Sequence, residues 1–413
     1  MEKIKFDKLN STLFQGVCKE NGLKIIIAPM YEATRVTAGL YIDRGGLARN
    51  YSIGSTNIYA GTPDLLVKSL LAEHSASSDK LFEEDVKINT HVEESFTTIS
   101  CSADMGKGLD LLDPLLHLVD GVTSSNDEIE NMKLEYVKFL EESDKKPANM
   151  VRKNLYIRSP MGINPHGDAD SIKKVHLVAI KRYFETFYRV ENMTLIVCGN
   201  ISPDKAYDIA NAYKFSTNKP IREIHVSPTM DSDSEIKNAM QYTEKPNTLI
   251  FGLKLPRREH LFNRFSDHMF SYYCILMDSI FSSLNTKSSE MLKDVVSFKD
   301  GGLRQGGEDA FLYQQMEVSD RDECMMKIKE LLADSKLISK KDFKNLKTNF
   351  LNQQKVIYKR NDVTYFNMLC EDYANRFASQ ALATAVKTVS YRKYCDFLDV
   401  VRACPVSFIA TDK

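Results

Sequence analysis

Two stretches of about 200 residues pass through the same succession of periodicities, and this domain-scale repeat constrains the fold more than any single motif. In the first stretch, "TRVTAGLYID" from Thr34 reads as a strand and "GTPDLLVKSLLAEHS" from Gly61 as an apolar helix. "FTTISCSAD" from Phe96 is a strand again, helices follow, and "NMTLIVCGN" from Asn192 closes the unit as a strand. The second stretch restarts with the strand "NTLIFGLKLP" from Asn247 and the long apolar helix "FSDHMFSYYCILMDSIFSSL" from Phe265. The strand "FLYQQMEVS", the helices "RDECMMKIKELLAD" and "ISKKDFKNLKTNFLNQQKVIY", and the final strand "CPVSFIAT" complete it. Strands interleaved with helices in this order indicate an α+β fold. Residues 1–205 and 246–413 then form two structurally repeated domains, each a mostly antiparallel sheet covered by helices, with 206–245 as a linker region containing the polar run "STNKPIREIHVSPTMDSDSE".

Local signals support the plan. Asn21-Gly22 between apolar runs is a strong hairpin signal. Ser125-Asn126-Asp127 has the residue types that cap a helix, here one running to about Asp144. In "MGKGLDLLDPLLHLVDGV", Leu111, Leu112, Leu115, Leu116 and Val119 recur at helical spacing.

A formal net charge of −1 offers no field for nucleic acid or an anionic membrane. Apolar runs all fall short of the roughly 18 residues that a spanning helix needs. The start, "MEKIKFDKLN", has alternating charge and no apolar core of a signal peptide. The eight cysteines include no Cys-x-x-Cys pair, and several sit in apolar runs, as reduced core thiols do. Together these features lead to the expectation of a cytoplasmic chain.

Candidate chemistry is sparse. The helix after Gly61 has the outline of a metal-peptidase helix, which would carry His-x-x-Glu-His. It offers Asp64, Val67 and Lys68 instead, with Glu73-His74 near its end. Glu73-His74 reads as a solvated helix C-terminus, where histidine is favourable. His166 in "NPHGDAD" reads as part of a surface turn, and "RQGGED" near Arg304 as another turn, since it lacks the strand-before, helix-after context of a phosphate loop.

Several strings, in order, resemble the pitrilysin/insulinase-type zinc peptidases. They are "ENGLKIIIAP", "AGLYIDRGG", "GTPDLLVKSLL", "NTHVEESFTTISCSA" and "FYRVENMTLIVCGNIS", and they belong to a resemblance that covers nearly the whole chain. It implies two repeated domains forming a bilobed half-clamshell. Carried over residue by residue, it puts the zinc-binding histidines on Asp64 and Lys68, the catalytic glutamate on Val67 and the third ligand on Phe139. A catalytic zinc needs three protein ligands and a base for its water. Valine cannot act as that base, and a lysine ammonium repels the metal. The substrate-gripping arginine and tyrosine of the second repeat fall on Val296 and Gln305. The resemblance therefore implies a non-catalytic member with no zinc or other cofactor. Such a subunit pairs with a zinc-bearing homologue in a processing chamber and holds a peptide by β-augmentation at Asn89, Thr90 and His91. The alternatives are a structural scaffold like the core proteins of respiratory complex III, and a metallopeptidase with substituted ligands.

Overall fold

The computed structural model describes the chain except residues 7–10, 47–50, 76–79, 158–159, 163, 216–238, 244–246, 262–271, 282–293, 307–308, 334–337, 375–385 and 412–413. Most of the polar connector and parts of the helix expected from Phe265 lie outside the described residues; 272–281 of that helix is helical.

The chain forms two compact units, each assembled from three stretches. Unit 1 comprises Met1–Glu141, Pro165–Pro228 and Gln353–Ser379; unit 2 comprises Glu142–Asn164, Thr229–Asn352 and Gln380–Lys413.

The unit 1 sheet contains β1 (Glu2–Phe6), β2 (Ser11–Val17), β3 (Lys24–Pro29), β4 (Arg35–Ile42), β7 (Lys87–Val92), β8 (Thr97–Asp104) and β9 (Met193–Gly199). Their order is β1-β2-β3-β9-β4-β8-β7. Only β3 and β9 pair in parallel; every other neighbouring pair is antiparallel. A small separate hairpin joins β5 (Tyr51–Ile53) to β6 (Thr56–Ile58). Over the sheet lie α1 (Thr62–Ser75), α2 (Leu112–His117), most of α3 (Asn126–Ser143), α5 (Ala169–Lys173), α6 (Leu177–Phe187) and α7 (Pro203–Ala212). Leu65, Leu66 and Leu70 of α1 join Ile25, Leu40, Ile99 and Leu195 from the strands in one core.

Unit 2 contains β10 (Ala239–Thr243), β11 (Thr248–Lys254), β12 (Val295–Gly306), β13 (Asp309–Val318) and β14 (Val406–Thr411). Their order is β10-β14-β11-β13-β12, with only β10 and β14 parallel. This reproduces β3-β9-β4-β8-β7 strand for strand, so the repeat is present in topology as well as in sequence pattern. Helix α8 (Arg258–Leu261) is followed by α9 (272–281), which stands between β11 and β12 in the chain as α1 stands between β4 and β7. The remaining helices are α10 (Arg321–Ala333), α11 (Lys340–Arg360), α12 (Asp362–Ala374) and α13 (Tyr391–Val401).

Each half of the chain lends a helix to the other half's sheet. Helix α4 (Pro147–Leu155) follows α3 in sequence but packs on β11, β13 and β14 of unit 2. Helix α12 follows α11 but packs on β4 and β9 of unit 1. Both sheets receive the borrowed helix at a strand glycine. A Cβ on Gly39 of β4 would overlap the Phe366 ring of α12, and one on Gly252 of β11 would overlap Val151 of α4. At the start of α12, buried Asp362 accepts hydrogen bonds from the hydroxyls of Thr37 (2.7 Å) and Ser102 (3.4 Å). The expected linker 206–245 holds most of α7 and all of β10, a strand of the second sheet, and the compact units exchange Glu142–Asn164 and Gln353–Ser379 between the two halves.

The hairpin turn lies in the loop before β3, with Gly22 in the left-handed region (φ 79°). Asn21 Oδ1 accepts the Leu23 amide (2.9 Å), and its Nδ2 donates to the Ala210 and Tyr213 carbonyls at the end of α7. Helix α3 starts with a capping box: Ser125 Oγ accepts from the Glu128 amide, and Glu128 Oε2 accepts from the Ser125 amide at 2.7 Å. The leucine-rich stretch after Met105 buries Leu111, Leu112, Leu115, Leu116 and Val119, but only Leu112–His117 is helical. Pro114 explains the short span: it has no amide to donate and is tolerated only in a first turn.

Candidate functional site

Helix α1 begins where two backbones touch. Gly61 and Gly167 both have φ of 84°. A side chain on Gly61 would collide with Ile172 and the His166 carbonyl, and one on Gly167 would press on the Ala60 carbonyl. Two residues that tolerate a positive φ and lack a Cβ thus let the loop at Pro165–Asp168 press against the first turn of α1. That approach sets His166 Nδ1 2.9 Å from Asp64 Oδ1. His166 lies in a turn, as its sequence context suggested, but its side chain is only 25% exposed and is paired with a carboxylate that is 9% exposed.

The other positions taken from the resemblance gather here. Phe139 meets the His166 ring edge-on at 5.6 Å and stacks on Tyr136 at 5.3 Å. Lys68 Nζ lies 5.4 Å over the Tyr136 ring, a cation–π contact. Val67 is buried and part of the apolar core. The Tyr136 hydroxyl and Asp64 Oδ2 are both buried, and neither completes a hydrogen bond of good geometry. Burial first, and the nearby Asp64 charge second, push the Tyr136 phenol far above its ordinary range.

These side chains do not fit a catalytic zinc. The donors that meet are one imidazole and one carboxylate, and they are bonded to each other. An apolar core residue, an ammonium and a phenyl ring fill the remaining positions. Among the described residues, no three His, Cys, Asp or Glu side chains gather in a group able to hold a metal ion.

Glu73 has a different role from the solvated helix end its sequence suggested. Its Oε1 accepts the amides of Thr123 (2.9 Å) and Ser124 (2.8 Å) and the hydroxyls of Ser124 (2.8 Å) and Ser69 (3.1 Å). Burial pushes the Glu73 carboxyl up, but these hydrogen bonds outweigh it and hold the pKa below the ordinary value. The bound carboxylate therefore contributes stability above the ordinary glutamate range, and that contribution is lost as pH falls through its lowered folded-state value. Glu73→Ala should cost about 2 kcal/mol, because it leaves donors in the 123–124 segment unpaired. Glu73→Gln should cost less and flatten the acid limb of stability against pH. Urea unfolding at a series of pH values checks both; an unchanged acid limb in Glu73→Gln would assign that limb to other carboxylates.

Asn89, Thr90 and His91 lie in β7, the last strand in the sheet order, and all three are exposed. Helix α1 packs against this strand. In unit 2, Val296 and Gln305 both lie in β12, the corresponding outer strand. "RQGGED" is not simply a turn: Arg304–Gly306 end β12 and Asp309 begins β13. The Arg304 guanidinium lies over the Tyr313 ring at 5.6 Å.

Sequence reasoning missed Tyr136 and the pairing of His166 with Asp64. Asp64 and His166 are 102 positions apart, and the glycines that join them are far apart in the chain. The local string signals only the turn.

Residues 174–305 match the family model described as the peptidase M16 inactive domain. Among curated proteins, no sequence matches the chain. Among solved structures, the chain is similar to an M16-like peptidase from Alicyclobacillus acidocaldarius, with TM-score 0.78 and 13% identity, over 99% of this chain and 100% of that one. A protease from Helicobacter pylori is similar with TM-score 0.73 and 12% identity, over 96% and 99% of the two chains. A chain of complex III2 from Candida albicans is similar with TM-score 0.70 and 11% identity, over 96% and 95%. No helix among the described residues is long and apolar enough to cross a membrane. Residues 174–305 thus match the M16 peptidase inactive domain, and the chain as a whole has the fold of M16-like peptidases.

Proposed function

We propose that this chain is a non-catalytic, zinc-free peptidase-like subunit that holds a peptide and works beside a zinc-bearing homologue, with which it forms a processing chamber. The observation that carries the reading is the state of the α1 site. Asp64 is bonded to His166, Val67 is packed in the core and Phe139 stands beside them, while the surrounding fold is intact. The peptide's place is the outer edge of β7, where exposed Asn89, Thr90 and His91 end the sheet and an added strand completes it through backbone hydrogen bonds. The setting we assign is the cytoplasm, because six of the eight cysteines are buried as single free thiols.

The test combines the chain with a zinc-bearing homologue from the same organism. The pair is expected to co-purify and hydrolyse peptide, and neither chain alone should do so. Alternate residues of an antiparallel edge strand turn their amides outward. Of Asn89→Pro and Thr90→Pro, one therefore removes an outward donor and should lose peptide capture while folding normally; the other should weaken pairing with β8. Full activity of the homologue by itself would refute the shared chamber. Normal capture by both proline variants would remove the peptide from this edge.

The likeness to a complex III2 chain over nearly its whole length supports a second reading, a structural scaffold. Co-purification with membrane cytochromes in place of a peptidase would favour it.

A further inference from the structure

The α1 site leaves one charge uncompensated. Asp64 and Lys68 stand one turn apart on α1, a spacing at which aspartate and lysine ordinarily pair. Here they do not. Asp64 Oδ1 is bonded to His166, and the Lys68 ammonium rests on the face of Tyr136. Among the described residues, no carboxylate lies within ion-pair distance of Lys68. Lys68 is the exposed residue in the otherwise buried run from Thr62 to Leu70. Phe139 presents a ring that is 41% exposed and is stacked on the same Tyr136 that carries the ammonium. Tyr136 itself is almost fully buried, so it fixes the positions of both neighbours.

We propose that Lys68 and Phe139 form a subsite for a peptide carboxylate, either a free C-terminus or an acidic side chain, with the phenyl ring packing against the apolar part of the same residue. The inference rests on the peptide-holding reading above, because α1 lies against β7 and a strand added there runs beside a neighbouring element. The ammonium is a point charge with rotatable donors, suited to a carboxylate that arrives in more than one orientation. The Tyr136 face already positions the ammonium, so less side-chain freedom is lost on binding.

The experiment incubates the full chain with four mixed-sequence decapeptide pools and measures retention by mass spectrometry. The pools have free or amidated C-termini, each with or without Asp and Glu. Wild type should retain carboxylate-bearing peptides about tenfold over the neutral amidated pool, the ratio expected of one charge-assisted hydrogen bond. The preference should shrink as ionic strength rises. Enrichment that follows the terminus identifies the C-terminal carboxylate, and enrichment that follows composition identifies the acidic side chain. Lys68→Met should bring the ratio to about one, and Lys68→Arg should keep most of it. Equal retention of all four pools, or a ratio that Lys68→Met leaves unchanged, overturns the subsite and leaves peptide holding intact. Retention of none of the pools overturns peptide holding and the subsite with it.

Discussion

Expressed separately, the two halves of this chain should fail to fold, and they should recover the native units only when produced together. Unit 1 is completed by α12, which comes from the second half, and unit 2 by α4, which comes from the first. In α12, Tyr365, Phe366, Leu369 and Cys370 are all nearly inaccessible. Burying large side chains of this kind contributes about 1.5–3 kcal/mol each, so the set rivals the net stability of a domain, about 5–15 kcal/mol. In α4, Val151 and Leu155 are buried, the Tyr156 hydroxyl after it donates to the Ala310 carbonyl at 2.8 Å, and Asn154 Nδ2 donates to Ser407 Oγ at 3.2 Å. Splitting the gene between Phe215 and Ala239 places each helix on the fragment whose own unit does not use it. Co-expression should yield a soluble two-fragment complex on size exclusion, and single expression should yield aggregate. A cooperative unfolding transition from the first fragment alone, near that of the intact chain, would refute the mutual dependence.

Gly39→Val should be among the most damaging single substitutions in unit 1. The added side chain would overlap the Phe366 ring and crowd Ser100 Cβ, at 2.7 Å. Neither can retreat far, because Phe366 is 1% exposed and Ser100 pairs with Gly39 across the strands. Overpacking a tight core typically costs about 1–3 kcal/mol, and the loss should reach or pass the upper figure here because the clash falls on a borrowed helix. Adding Phe366→Ala to Gly39→Val should return part of the stability, a coupling that separate, unrelated defects would not show. Gly252→Val with Val151→Ala makes the same test in unit 2. Denaturant midpoints for the four corners of each cycle give the answer; simple additivity would mean that the glycine does not seat the helix.

Features decided by near neighbours were legible in the sequence. The Asn21-Gly22 turn, the Ser125 cap and the strand β4 depend on residues within a few positions of one another, and the structure contains all three. The strand β12 was missed: Asp300, Gly301 and Gly302 break its alternation, and its pairing with β13 is irregular between Phe298 and Gly301. The helix exchange was invisible for a different reason. The pattern of α12 reports that one face is apolar but not which sheet covers it, and the answer depends on Gly39, more than 300 positions away. The Asp64–His166 pair escaped in the same way. Both partners were noticed separately, and only the tertiary fold brings them together.

The burial of Val67 makes any route to a zinc site on α1 a steep one. A zinc site adds binding energy only when its ligands are present together. Building such a site must therefore pass through intermediates that carry the cost of each change without the metal. Val67→Glu inserts a carboxylate into a position 3% exposed among leucines, a desolvation penalty that nothing there offsets. Asp64→His removes the partner that holds His166, and Phe139→Glu unstacks the ring that packs on Tyr136. Each single step is uphill, whereas substitution on the exposed edge of β7 is nearly free. Packing thus acts as a ratchet: the interior of the α1 site resists the changes a metal would need, while the edge of β7 stays open to substitution.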